Sequence, residues 1–186
     1  QMARDLLDRV QDKMGGDANH TQAFTAVAAA LVHDVGHGMF SHAFEAVGKE
    51  LGLEFSTHEN VSRKLILESE ISERLKEVNG SFPVEVANMV SADVPQSLYG
   101  SIVSSQFDAD RLDYMQRDRI MTGVESSRID LKWLLENLEI DSVPLSVDDE
   151  AEGSVETLVL GSKAFHVAES YVISLFHLYP NVYLHK

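Results

Sequence analysis

Between Leu31 and Glu45 the chain reads LVHDVGHGMFSHAFE, with three histidines, an aspartate and a glutamate inside a short span. Histidine fills an apolar core poorly, because its ring nitrogens need partners. His33 and Asp34 stand side by side at the end of an apolar run, where the backbone loosens toward Gly36 and Gly38. An imidazole next to a carboxylate can offer one nitrogen and one oxygen to a common point. That mixture suits a borderline divalent ion such as manganese, iron, zinc or nickel. The glycines on either side permit unusual backbone angles and close approach by a ligand. His37 lies four residues beyond His33 and Glu45 three beyond His42, so each pair shares a face wherever the backbone is helical. A second stretch, FDADRLDYMQRD from Phe107 to Asp118, sets Asp110, Tyr114, Arg117 and Asp118 near one face of a helix.

The elements that must position these groups are mostly helices. ARDLLDRVQDKM, from Ala3, has Leu6, Leu7, Val10 and Met14 on one side. Thr21 to His33 reads as a buried helix, and Phe40, Phe44, Val47 and Leu51 mark the next, ended by Gly52, with both phenylalanines assigned to the core. Ser56-Thr57-His58-Glu59 has the form of a capping box opening a helix through Val61, Leu65 and Ile66. Pro83 suits a first helical turn. Asp108 to Met121 is predicted helical with Gly123 as its stop, and a further helix runs from Leu131 through Leu138. Around residues 142–160, VPLSV and VETLVL flank the acidic turn DDEAEG and predict a two-stranded β-ribbon. A long helix from about Ser162 closes the chain, kinked at Pro180. The expectation is an all-α fold with a small β-ribbon, one domain over residues 1–186. The first helix lacks a lead-in and NVYLHK stops as abruptly, so the sequence reads as the interior of a longer protein.

Composition narrows the function. With 44% hydrophobic and 24% charged residues the chain is an ordinary globular sequence. No apolar run approaches the roughly 20 residues needed to cross a bilayer, so no membrane partner is expected. It has no cysteine, which rules out thiolate metal sites and cysteine nucleophiles and fits a reducing cytoplasm. A net charge of -15 argues against a broad nucleic-acid surface. Any anionic substrate must therefore be gripped locally, by a metal or a few well-placed cations.

HDVGHGMFSHAFE resembles the core motif of the HD-domain phosphohydrolases, and most of all the branch of bacterial dGTPases and the mammalian SAM-and-HD-domain deoxynucleotide triphosphohydrolase. The resemblance recurs in the same order at THEN (Thr57 to Asn60), FDADRLDYMQRD and VYLHK (Val182 to Lys186). It implies a divalent metal (Mn, Fe, Mg, Zn or Ni) held by His33, Asp34 and Asp110, with the family's first histidine ligand upstream of residue 1. It implies that His37 lies beside substrate phosphates and that His58 acts as an acid in phosphate cleavage. By the same resemblance His42 would steady the metal water or a neighbouring carboxylate, and Glu45, where close relatives often carry aspartate, would orient the histidines. Arg111 would reach phosphate, Tyr114 the sugar, Asp118 a sugar hydroxyl, and Tyr183 and Lys186 the nucleotide. A homo-oligomer is also implied.

One departure bears on substrate. Where the deoxynucleotide hydrolases place a phosphate-binding arginine this chain has Leu175, and Tyr179 and Pro180 also depart from the usual basic residues. The leading expectation is hydrolysis of deoxynucleoside triphosphates to deoxynucleoside and triphosphate. The alternatives are an HD phosphatase or phosphodiesterase for another phosphate ester, and an HD fold without catalysis that regulates or oligomerises.

Overall fold

Apolar spacing builds each helix before anything else positions it. In α1 (Met2–Met14), Met2, Ala3, Leu6, Leu7 and Val10 recur on one face, and all five are buried. The computed structural model describes residues 1–53, 55–92, 94–125, 128–144 and 153–184. The acidic run from Asp148 and Lys186 lie outside them. The described chain forms two compact units, one of residues 1–18 and 105–186 and the other of residues 19–104.

The unit of residues 19–104 carries the histidine motif. It contains α2 (His20–Val32), α3 (His42–Glu50), α4 (His58–Glu68), α5 (Glu70–Lys76) and α6 (Phe82–Val90). Asn19 caps α2, its side-chain oxygen accepting from the Gln22 amide at 3.1 Å. The small side chains of α2 let α6 approach closely, and α4 and α5 pack on α6 from elsewhere. Ala29, Ile66, Phe82, Val86 and Ala87 form the buried cluster where α2, α4 and α6 meet, and Phe24 stacks on Phe82 at 5.3 Å. Pro83 sits in the first turn of α6, where its missing N–H costs nothing. Burying Phe82 and Ile66 contributes about 1.5–3 kcal/mol each.

The unit of residues 1–18 and 105–186 holds α1, α7 (Ala109–Thr122), α8 (Leu131–Glu136), β1 (Leu138–Pro144), β2 (Ser154–Leu160) and α9 (Phe165–Leu178). Asp108 caps α7 by accepting from the Arg111 amide at 2.8 Å, and Gly123 closes it at φ 71°, the left-handed geometry glycine tolerates. Strands β1 and β2 pair antiparallel, from Leu138 opposite Leu160 to Pro144 opposite Ser154. After α9 the backbone widens into a π-turn, Tyr179–Tyr183, at Pro180.

The mainly helical fold with a two-stranded antiparallel sheet is as the sequence predicts, with three local differences. The ribbon begins at Leu138, not near 142, and the preceding helix stops at Glu136. Asn137 is the cause: its side-chain amide donates to the Trp133 carbonyl at 2.8 Å and its own carbonyl accepts from Gly161 at 2.9 Å, turning the chain into the sheet. Phe40 and Phe44 are not core residues; Phe40 is 84% exposed in a turn with φ 65°, and Phe44 is also exposed. The capping box at Ser56 does not form. Thr57 is the N-cap of α4 with no side-chain cap bond, and a carboxylate from α3 takes that role. Among the described residues, no helix is long and apolar enough to cross a membrane.

Candidate metal and histidine site

His33 and Asp34 sit where α2 ends, in the turn that leads to Gly36. The His33 Nδ1 lies 3.1 Å from the Ala30 carbonyl, which can only accept, so Nδ1 carries the proton and donates it. That fixes the tautomer and leaves the Nε2 lone pair free, 3.3 Å from Asp34 Oδ2. A nitrogen and an oxygen donor thus face each other beside solvent, Asp34 being 48% exposed. The other carboxylate oxygen, Oδ1, stands 3.4 Å from His37 Nε2, while His37 Nδ1 pairs with the Ser41 hydroxyl at 3.1 Å. His37 is thus held by the Ser41 hydroxyl at Nδ1, with Nε2 turned toward the Asp34 carboxylate.

The next layer comes from α3 and α4. Glu45 Oε1 accepts from the His58 ring through Nδ1 and from the His58 amide at 3.1 Å. One carboxylate therefore both orients the imidazole and caps the helix that carries it. Glu45 Oε2 faces His42 Nδ1 at 3.5 Å. Burial pushes the Glu45 carboxyl up, but the bonds from the His58 ring, the His58 amide and His42 outweigh it and hold the group down to about 2. His37 and His58 stack with ring centroids 3.9 Å apart, and His42 meets both edge-on, at 5.2 Å from His37 and 5.5 Å from His58. The donor atoms of Asp34, His37 and His58 lie within 4.8 Å of one another, as do those of His42, Glu45 and His58.

Two serines hold this arrangement, and neither stands out in the sequence. Ser62, buried on α4, donates to the His33 carbonyl at 2.7 Å and accepts from the Gly36 amide at 2.9 Å. It ties the helix of His58 to the turn of the His-Asp pair. The signal that exists, a hydroxyl four residues after His58, is too common to be read without the fold. Gly36 is forced by the same contact, because a Cβ there would lie 2.4 Å from the His58 carbonyl oxygen and the Ser62 nitrogen. Ser41 holds its hydroxyl on His37 from a backbone at φ 49°, next to Phe40 at 65°. Such angles cost non-glycine residues of order 1–3 kcal/mol each. A cavity of about 150 Å³ opens beside the cluster, lined among others by Gly38, Phe44, Glu45, Thr57 and His58. The larger cavity of the same unit, about 490 Å³ between α2 and α6, is lined by none of the histidines.

The other unit gathers a different set of the predicted residues. On α7 and the turn after α9, Tyr183 donates its hydroxyl to Asp118 Oδ2 at 2.8 Å, and the Tyr114 ring meets Tyr183 edge-on at 6.2 Å. Burial raises the Tyr183 phenol and the Asp118 carboxylate raises it further; burial also raises Tyr114. Arg111 is engaged with Asp108 at 3.5 Å and with Gln106 at 3.1 Å, and Arg117 forms an ion pair with Asp113. Asp110 is exposed in the first turn of α7. The structure thus joins His33, Asp34, His37, His42, Glu45 and His58 in one unit, and Tyr114, Asp118 and Tyr183 in the other.

A family model described as "HD domain" matches residues 2–115, a span holding the histidine motif and Asp110. The chain belongs to the HD domain family. Like it are an uncharacterized protein, YwfO, of Bacillus subtilis, 36% identical over 86% of this chain and 33% of its own length, and one of Methanocaldococcus jannaschii, 28% identical over 97% of this chain and 33% of its own. The HD chain described here spans about a third of the length of these relatives. Among solved structures, a phosphohydrolase from Bacteroides thetaiotaomicron superposes with a TM-score of 0.72 at 29% identity, covering all of this chain and 40% of that one. HD domains bind divalent metals, and the donor set fits such an ion: a neutral imidazole with its Nε2 free and an adjacent carboxylate.

Proposed function

We propose that this chain forms the metal-dependent centre of a phosphohydrolase acting on nucleotides, with deoxynucleoside triphosphates as substrates and deoxynucleoside and triphosphate as products. The observation that carries the reading is the tautomer of His33. Its Nδ1 proton is committed to the Ala30 carbonyl, so Nε2 is presented as a ligand beside Asp34. The motif resemblance adds Asp110 as the third protein ligand. A divalent ion held there supplies Lewis-acid activation of water and neutralises phosphoryl oxygens.

The chain's own residues do the rest. With Nδ1–H held by Glu45, His58 has Nε2 as its reacting nitrogen; as an imidazolium, protonated at both nitrogens, it donates the Nε2 proton to the leaving group and keeps the Nδ1 proton toward Glu45. His37, fixed between Ser41 and Asp34, presents its ring edge to phosphate. Tyr114, Asp118 and Tyr183 meet the nucleoside, together with Arg111 and Lys186 on phosphate. The protein acts in the cytoplasm as a homo-oligomer on this reading.

A second reading, an HD phosphatase or phosphodiesterase for another phosphate ester, is favoured by a specific shortage of cations. Leu175 stands where the triphosphate hydrolases have arginine, and Arg111 and Arg117 are already engaged with carboxylates. A panel of dNTPs, NTPs, monophosphates and cyclic dinucleotides, assayed for triphosphate against orthophosphate release, separates the two. Triphosphate release from dNTPs is expected; orthophosphate or turnover of only the other esters selects the second reading.

A further inference from the structure

We propose that His42, Glu45 and His58 form a second cation site that takes zinc(II), separate from the His33–Asp34 pair, and that its occupation inhibits the enzyme. Glu45 faces both rings at once, with Oε1 on His58 Nδ1 and Oε2 at 3.5 Å from His42 Nδ1. Zinc binds nitrogen and carboxylate oxygen at about 2.0–2.2 Å, so two ligands on one tetrahedral ion stand roughly 3.3–3.5 Å apart. The His42–Glu45 separation is already that of two ligands sharing an ion. The His42 and His58 ring centroids are 5.5 Å apart, and one ligand atom from each of His42, Glu45 and His58 lies within 4.8 Å of the other two.

His37 is the neighbour that does not join. Its Nδ1 is on Ser41, its Nε2 points to Asp34, and its face is stacked on His58. Two imidazoles and one carboxylate are the donor set of open zinc sites, which keep a fourth position for water. His42 is 75% exposed, so the ion enters directly from solvent. Binding exchanges the Nδ1 protons that His58 and His42 hold toward Glu45 for the metal: both N–H bonds break, the proton of the His58 imidazolium leaves to solvent, that of the neutral His42 ring moves through solvent to its Nε2, and two N–Zn bonds and one O–Zn bond form. The inhibitory role rests on the phosphohydrolase reading, because it removes His58 as the acid; the site itself does not.

The test is zinc and cobalt(II) titration of the His33→Ala/Asp34→Ala chain, which lacks the HD pair and the Asp34–His37–His58 grouping. One equivalent of zinc is expected, with the visible absorption of tetrahedral cobalt. Adding His42→Ala should weaken binding at least ten-fold and abolish that absorption. Because His42 is exposed, the fold should survive, which circular dichroism verifies; a Glu45→Gln version provides a second loss of ligand. No zinc bound by the double variant, or affinity unchanged by His42→Ala, overturns the site. Turnover of the intact protein that is unaffected at zinc concentrations filling the site overturns the inhibition. A chain that binds zinc in this way yet hydrolyses no phosphate ester keeps the site and removes the hydrolase reading instead.

Discussion

Glu45 does two things with one carboxylate: it holds the His58 ring through Nδ1 and it satisfies the first free amide of α4. Glu45→Gln keeps the shape but loses the charge and one acceptor. We expect kcat to fall about 10- to 100-fold, the range for losing a group that orients a reacting imidazole, with metal at the HD pair unchanged. Steady-state kinetics beside metal analysis check this. The same carboxyl has an acid signature. Its ordinary value of 4.5 is lowered to about 2 in the folded chain. A depressed carboxyl favours folding above its unfolded value, and that contribution disappears as pH falls from about 4.5 toward about 2. Thermal melts should therefore show the stability advantage of wild type over Glu45→Gln shrinking from pH 5 to pH 3. The spacing of His42, Glu45 and His58 is visible in the sequence, but the bond from Glu45 to a backbone amide thirteen residues away is not, because nothing local encodes which element crosses α3.

Among the elements, the crossing of α4 over the turn after α2 decides whether the histidines meet. Gly36 and Ser62 make that crossing possible, one by having no side chain and the other by bonding both strands of the turn. Gly36→Ala forces the two backbones apart; the overpacking should cost about 1–3 kcal/mol and weaken metal binding, read from a urea midpoint and a metal titration. The variant that retains both at wild-type values would show the contact to be slack. Element boundaries were legible where the signal is local: Asp108 and Gly123 bracket α7 as their types predict. They were illegible where a tertiary partner intervenes. Thr57 starts α4 because Glu45 is there, and Leu138 leaves its helix for the sheet because Asn137 takes the carbonyl of Trp133. Phe40 failed as a core residue because it sits in a tight turn at φ 65°, and Phe44 lies on an exposed face of α3.

On the scale of the whole molecule, a net charge of -15 disfavours the approach of an anionic substrate, so a held cation or a few local basic groups must offset it. The HD family was legible because the histidine motif and Asp110, whose types and order carry the resemblance, both fall within the matched residues 2–115. Substrate was not, since Leu175 and the engaged arginines pull against the triphosphate motif. We propose that a divalent ion on His33, Asp34 and Asp110 is indispensable to hydrolysis. It is tested most directly by stripping the protein with chelator, restoring manganese, and comparing wild type with His33→Ala, Asp34→Ala and Asp110→Ala on dNTPs and other phosphate esters. Turnover is expected to return in wild type alone; turnover at the wild-type level in Asp34→Ala would refute the role of that metal.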